Sequence, residues 1–184
     1  MPTAPIMIIA GTNRPNSNAL KIAHILLGHY QAAKVLAEVF SLTELPKEVF
    51  DASAYSTKPP GMVVIQNRVL AAPGLHVVTP EYNGGPPGVL KYFIDMLKFP
   101  ESFDRKPVAF TGESAGMFGA LRPVEQLQAI FGYRNAYLYP ERVFIPGIGQ
   151  KLTPEGKLND PAINDRLAQQ AIGFAKFVAT LAVA

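Results

Sequence analysis

The chain has 184 residues, 48% apolar and 17% charged, a balance that can build one sizeable core and excludes a disordered chain. It has no cysteine, which excludes disulfides, thiolate chemistry and Cys-type zinc sites. Net charge is +3 and pI about 9.1, yet the basic residues are scattered without a Lys/Arg run or interleaved aromatics, which suits an anionic small ligand and argues against nucleic acid as partner.

Met1 to Pro5 carries no basic n-region and leads into a short apolar run, so it is expected to open a first strand and not to be a signal peptide. No apolar run is long enough to span a membrane. Residues 6–10 are continuously apolar, the pattern of a strand buried on both faces. A polar loop follows, Gly11-Thr12-Asn13-Arg14-Pro15-Asn16-Ser17-Asn18. Leu20, Ala23, Leu27 and Tyr30 then recur at helical spacing and predict a first helix over Ser17–Gln31. A second strand is expected over Lys34–Leu42. Residues 43–61 are punctuated by Pro and Gly and read as a long loop with at most a turn of helix.

Met62, Ile65 and Val69 mark a helix ending at Pro73-Gly74, and Leu75–Thr79 is a third strand. Thr79-Pro80-Glu81-Tyr82-Asn83-Gly84-Gly85-Pro86-Pro87-Gly88 forms a second special loop. The next helix shows Leu90, Phe93, Ile94 and Leu97 on one face and stops near Pro100. Pro107–Thr111 is a fourth strand, leaving into a third loop over Gly112–Gly119, followed by a helix over Ala120–Phe131. Residues 135–145 read as a fifth strand interrupted at Pro140, and 147–160 as a loop. Asp160-Pro161 caps a last helix whose stripe is Ile163, Leu167, Ala171, Phe174, Val178 and Leu181.

Alternating strands and helices with no linker or repeat imply a single α/β domain over residues 1–184, a parallel sheet covered on both faces in a doubly wound, three-layer arrangement. In such sheets ligands bind beyond the carboxyl ends of the strands. The three special loops follow the first, third and fourth strands, so they converge on one pocket.

The first loop has neither GxGxxG nor GxxxxGK[ST], so it is not a dinucleotide or triphosphate fingerprint. Thr12, Ser17 and Asn18 offer hydrogen-bond donors, Arg14 a charge, and the helix start its open N–H groups. Those features suit a phosphate monoester, although an ordinary polar loop with Ser17 or Asn16 as N-cap accounts for the same residues. In the second loop Gly84 and Gly85 let backbone approach something flat, or simply make a strand-to-helix turn.

Catalytic side chains are scarce. His24 and His29 are not spaced to share a helix face, His76 lies in a strand, and all three read as structural. Glu81 and Glu113 both lie on special loops, but nothing in their spacing demands a carboxylate pair. No metal-binding motif is present. A pocket without nucleophile, acid or metal points to chemistry carried by a cofactor.

Two motifs resemble those of the NAD(P)H-dependent FMN reductases, a flavodoxin-like family that includes quinone, azo-dye and chromate reductases. Gly11–Asn18 is similar to its phosphate loop. Thr79-Pro80-Glu81-Tyr82-Asn83-Gly84, with Pro87-Gly88-Val89-Leu90-Lys91, is similar to its flavin-binding segment. The resemblance implies a five-stranded sheet in the order 2-1-3-4-5. It implies FMN held by Gly11, Thr12, Arg14, Ser17 and Asn18 at the phosphate, with Pro80, Glu81, Tyr82, Asn83 and Gly84 along the ring. Ser114, Ala115 and Gly116 would close the other side. There the family often has a run of serine and glycine, whereas this chain has Glu113 and Met117.

The implied enzyme takes hydride from NADPH or NADH and passes it to a quinone, azo compound, free flavin or metal oxyanion, with no side-chain base required. It would be cytoplasmic and a homodimer or homotetramer, with Arg122 at a position where relatives place an interface arginine. A flavodoxin-like electron carrier without its own small-molecule substrate is the alternative, although such carriers are usually acidic. A doubly wound interaction scaffold with an empty pocket is a third reading.

Overall fold

The computed structural model describes residues 4–182, so the expectation for Met1–Thr3 lies outside the described residues. The elements run β1 (Ile6–Ala10), α1 (Asn18–Ala32), β2 (Ala37–Ser41), α2 (Pro60–Ala71), β3 (Leu75–Pro80), α3 (Gly88–Met96), β4 (Pro107–Glu113), α4 (Leu121–Tyr133), β5 (Tyr137–Leu138), β6 (Val143–Ile145), α5 (Ile148–Lys151) and α6 (Pro161–Leu181). All strand pairings are parallel, in the order β2-β1-β3-β4-β5, with β6 also on β4. The fold class and strand order expected from the sequence are therefore observed.

Period-two alternation divides the core. Ile6, Ile8 and Ala10 of β1 pack with Ile22 and Leu26 of α1 and Leu167 and Phe174 of α6 on one face. Met7 and Ile9 pack on the other face with Met62 of α2, Phe93 of α3 and Leu127 of α4. Because both faces are covered, β1 reads as a continuous apolar run.

Three details differ from the sequence reading. Residues 43–61 hold short 3-10 turns (Leu42–Glu44, Lys47–Phe50 and Ala52–Tyr55), the first closed by a Ser41/Glu44 capping box, before α2 starts at Pro60. The interrupted fifth strand is two short strands at two heights on β4: β5 pairs with Pro107 and Val108, and β6 with Thr111, Gly112 and Glu113. β4 runs on through Gly112 and Glu113, two residues expected in loop, paired there by Thr79 and Pro80 of β3 on one side and by β6 on the other. The segment after β6 also contains the one-turn helix α5.

Behind the pocket a buried polar chain crosses the layer between the sheet and α1/α6. Tyr30 Oη lies 2.8 Å from His76 Nδ1, His76 Nε2 lies 2.9 Å from Thr111 Oγ1, and Thr111 Oγ1 donates to Gln170 Oε1 at 2.7 Å. The Gln170 amide nitrogen donates to the carbonyls of Phe110 and Glu141. Since its nitrogen serves two carbonyls, Oε1 must accept, and every proton in the chain is then assigned. Thr111 donates forward, His76 donates from Nε2, and Tyr30 donates to Nδ1. His76 is thus a neutral structural histidine, as its place in a strand suggested. Burial holds its pKa at about 3 against an ordinary 6.5, and the nearby Gln170 side chain opposes that shift only in part.

Two outcomes follow from this chain. Thr111→Val leaves His76 Nε2–H and Gln170 Oε1 unpaired, and should lower the unfolding free energy in urea titrations by about 1–3 kcal/mol. Acid should also destabilise the fold. The folded histidine titrates at about 3 and the unfolded one near 6.5, so the unfolded state takes the proton first as pH falls. This contribution is absent above pH 6.5 and grows below it by about 1.4 kcal/mol per pH unit. Comparing urea titrations of the wild type and His76→Gln at neutral and mildly acidic pH isolates it, because the surface carboxylates titrate alike in both proteins.

Candidate functional site

Parallel strands deliver their exits to one edge, and three of those exits build a cleft. Its lining is Arg14, Pro15, Asn16, Ser17 and Asn18 after β1, Pro80, Glu81 and Tyr82 after β3, Glu113, Ser114 and Ala115 at the end of β4, and Ile148 of α5. The cleft measures about 420 Å³, within the usual range of small-molecule sites.

The first loop is shaped by its own polar atoms. Ser17 caps α1, its Oγ accepting from the Leu20 N–H at 3.2 Å, which settles the choice between Asn16 and Ser17. Asn16 takes a left-handed conformation (φ 52°) just before the cap, which asparagine tolerates better than most residues. Thr12 is buried; its Oγ1 accepts from the Arg14 N–H at 3.3 Å and lies 3.1 Å from Tyr82 Oη, tying the first loop to the second. The N–H groups of Asn16 and Asn18 have no acceptor within the described residues. Open donors at a helix start, with Arg14 beside them, are the chemistry an anionic group needs.

Gly11 is required by close approach. Its N–H donates to the Val78 carbonyl at 2.8 Å, and a Cβ there would stand 2.8 Å from that oxygen and 2.9 Å from Leu90 Cδ2. No side chain fits between the end of β1, β3 and α3.

The second loop holds a turn legible in hindsight. Tyr82 and Gly85 exchange both backbone hydrogen bonds, at 2.9 and 3.1 Å, around Asn83 (φ 52°) and Gly84 (φ 76°). Positive φ at both central residues is the type I′ turn, for which Asn-Gly is the preferred pair. Asn83 and Gly84 therefore aim Tyr82 and do not themselves line the cleft. Behind the turn Gln126 donates to the Gly84 carbonyl at 3.2 Å. Glu81 faces Arg122 at 3.8 Å, whose guanidinium also lies 5.1 Å from the Phe118 ring.

The third loop is pinned by the segment after β6. Ser114 N–H donates to the Ile145 carbonyl, Ile148 N–H to the Ser114 carbonyl and Gly147 N–H to the Gly116 carbonyl, at 3.1, 3.0 and 3.2 Å. Ser114 and Ala115 reach the cleft, whereas Gly116 lines an adjoining open hollow of about 570 Å³ with Ala115, Met117 and α5. Met117 is 78% exposed there, so apolar surface stands uncovered beside the site. Glu113 is buried at the cleft wall, and burial pushes its carboxyl up to about 7 although the Ala19 N–H and Arg14 pull it down.

Pro15, Asn16, Glu113 and Ile148 line the cleft without being foreseen as site residues. Ile148 had no signal, since it arrives through a one-turn helix in a segment read as loop. Glu113 did have one: it stands where small residues were expected. His24 is exposed and His29 Nε2 lies 3.2 Å from Asn164 Oδ1, so neither approaches the cleft. Among the described residues no group of three His, Asp or Glu could hold a metal ion, and no helix is long and apolar enough to cross a membrane.

Known proteins resemble this chain in sequence and in fold. The family model described as NADPH-dependent FMN reductase matches residues 4–150, which include all three loops. An FMN-dependent NADPH-azoreductase of Staphylococcus aureus is 30% identical over 128 residues, 67% of each chain. Among solved structures, the flavoenzyme NAD(P)H:(acceptor) oxidoreductase of Paracoccus denitrificans superposes with a TM-score of 0.80 at 20% identity, covering 97% of this chain and 98% of the other. An oxidoreductase from Corynebacterium diphtheriae gives 0.75 at 22% identity, covering 98% and 99%. At those identities the two structures speak for the fold.

Gly11→Ala should push the first loop off β3. Overpacking against backbone is expected to cost about 1–3 kcal/mol in a denaturant titration, with the open donors at the start of α1 displaced together with the loop.

Proposed function

The chain belongs to the NADPH-dependent FMN reductase family, and on that premise we propose that its cleft holds FMN through the three loops and serves a small-molecule reductase. FMN is the family's cofactor and NAD(P)H its co-substrate. When bound, FMN supplies the redox centre through which hydride leaves a reduced nicotinamide and reaches a quinone, azo compound, free flavin or metal oxyanion.

The residues present fit that group. Arg14, the Ser17 hydroxyl, Asn18 and the open N–H groups of Asn16 and Asn18 form a terminus for a phosphate monoester, with the buried Thr12 hydroxyl behind them accepting from the Arg14 N–H. Gly11 lets that loop sit low against β3. Pro80, Glu81 and Tyr82, positioned by the Asn83-Gly84 turn, form one wall for a flat ring, and Ser114, Ala115 and Gly116 the opposite end. The observation that carries the reading is the bond between Thr12 and Tyr82 at 3.1 Å, which joins the phosphate end of the cleft to its ring end.

The protein's part is orientation. Tyr82 and Ala115 leave an open rim where a nicotinamide or acceptor can enter, and the adjoining hollow beside Gly116 extends that rim. No side chain there needs to act as a base, since hydride transfer calls for alignment and not for proton abstraction. We read residues 1–184 as a single flavodoxin-like domain working in the cytoplasm. The uncovered Met117 and Phe118 beside the site support assembly into a homodimer or homotetramer.

The purified protein, loaded with FMN, should be yellow and should bleach when NADPH is added without oxygen. A colourless protein that cannot be loaded overturns the reading, and bleaching without steady turnover on any acceptor favours an electron carrier. Arg14→Ala removes the charge partner of the phosphate and should weaken FMN binding by about 1.5–3 kcal/mol in a fluorescence titration. Unchanged affinity would show that the first loop is not the phosphate site.

A further inference from the structure

We propose that Glu113 is a proton-linked partner of the cofactor phosphate: FMN binding leaves its carboxyl protonated, so the site loosens FMN as the solution turns alkaline. This rests on the phosphate reading of the first loop given above.

The geometry sets two anions against one set of donors. Glu113 is the last residue of β4, in register with Pro80 on β3 and Ile145 on β6. It is 5% exposed, and the Ala19 N–H at the start of α1 and the charge of Arg14 both favour its ionised carboxyl. It lines the same cleft as Arg14, Ser17 and Asn18, the groups assigned to the phosphate. A phosphate and an ionised carboxylate would therefore compete for one guanidinium and one helix terminus.

No second cation relieves them. From the loop after β3 the cleft receives Glu81, engaged with Arg122 at 3.8 Å, and Tyr82. From the end of β4 it receives Ser114, whose hydroxyl donates to the Gly116 carbonyl. β6 presents Ile145 and α5 presents Ile148; the α5 lysine, Lys151, is paired with Asp160. Arg14 is the one basic side chain in the lining.

A like charge beside a carboxyl favours its neutral form. Burial already brings the Glu113 carboxyl up to about 7 before any phosphate arrives. The added phosphate acts in the same direction, so the complex holds more protons than the free protein above neutrality. By linkage affinity then falls as pH rises, by at most tenfold per pH unit for one proton. The proton comes from solvent and resides on a carboxyl oxygen of Glu113, and no bond to the cofactor changes.

The test is calorimetric titration of the apoprotein with FMN in two buffers of different ionisation heat, at about pH 8, where the free phosphate is already a dianion because its second pKa is about 6. Wild type should take up a proton fraction approaching one per FMN, and Glu113→Gln none. Between about pH 7 and pH 8.5 the wild-type dissociation constant should rise on the order of tenfold. That of Glu113→Gln should stay flat and lie below the wild-type value at the alkaline end.

Equal proton uptake in the two proteins, or a wild-type affinity independent of pH, overturns the role of Glu113. Should Glu113→Gln fail to fold, the wild-type proton count decides alone, and no uptake refutes the proposal. Riboflavin, which lacks the phosphate, should bind with little proton uptake. Riboflavin binding as tightly as FMN at every pH would instead refute the phosphate site, a separate result.

Discussion

Parallel pairing is the constraint from which the rest follows. A parallel strand cannot turn directly into its neighbour, so each connection must cross a face of the sheet and return, and all strands leave at the same edge. Because helices then cover both faces, the strands can be apolar throughout, and polar residues are driven to the exits. The exits of β1, β3 and β4 are neighbours because those strands are neighbours. Three sequence segments far apart in the chain meet in one cleft for that reason, before any side chain contributes.

Within that frame the loops are held by a few specific contacts. Gly11 lets β1 end against the Val78 carbonyl, where any Cβ would collide. The Thr12–Tyr82 bond joins the first exit to the second, and the backbone bonds from Ser114 and Gly116 to Ile145, Gly147 and Ile148 fix the third. The cleft is thus rigid at its polar end and open at the rim beside Met117. That division of labour is what the proposed binding of FMN in this cleft calls for.

Much of this was legible in the sequence because the signals were local. Residues 6–10 are apolar without interruption, and Asp160-Pro161 announces α6 through the Asp160 side chain, which accepts from the Ile163 N–H at 3.1 Å. What escaped was non-local. Gly112 and Glu113 look like loop, yet they are strand because β3 on one side and β6, thirty-odd residues later, on the other supply partners for them. Ile148 reaches the cleft only through the fold. The Asn83-Gly84 turn was a missed local signal: its glycine was read as making room for a ligand, whereas its positive φ shows a backbone need. The polar chain from Tyr30 to Gln170 could not be foreseen either, since a histidine in an apolar strand does not declare its partners.

That buried chain bears on how the sheet finds its alignment. Apolar strands of alternating facing are poorly protected against sliding by two residues, since every side chain would keep its face. A slip of that kind between β3 and β4 moves the strands by roughly 6–7 Å and leaves the apolar layers nearly as well filled. His76 stands in register with Ala109 and reaches the Thr111 hydroxyl on the diagonal at 2.9 Å, a geometry that a two-residue slip in either direction would replace. The hydrogen bonds therefore act as a vernier on an otherwise forgiving interface. Since Pro80 and Glu113 share one register position at the cleft wall, the same vernier sets where the second and third exits stand relative to each other.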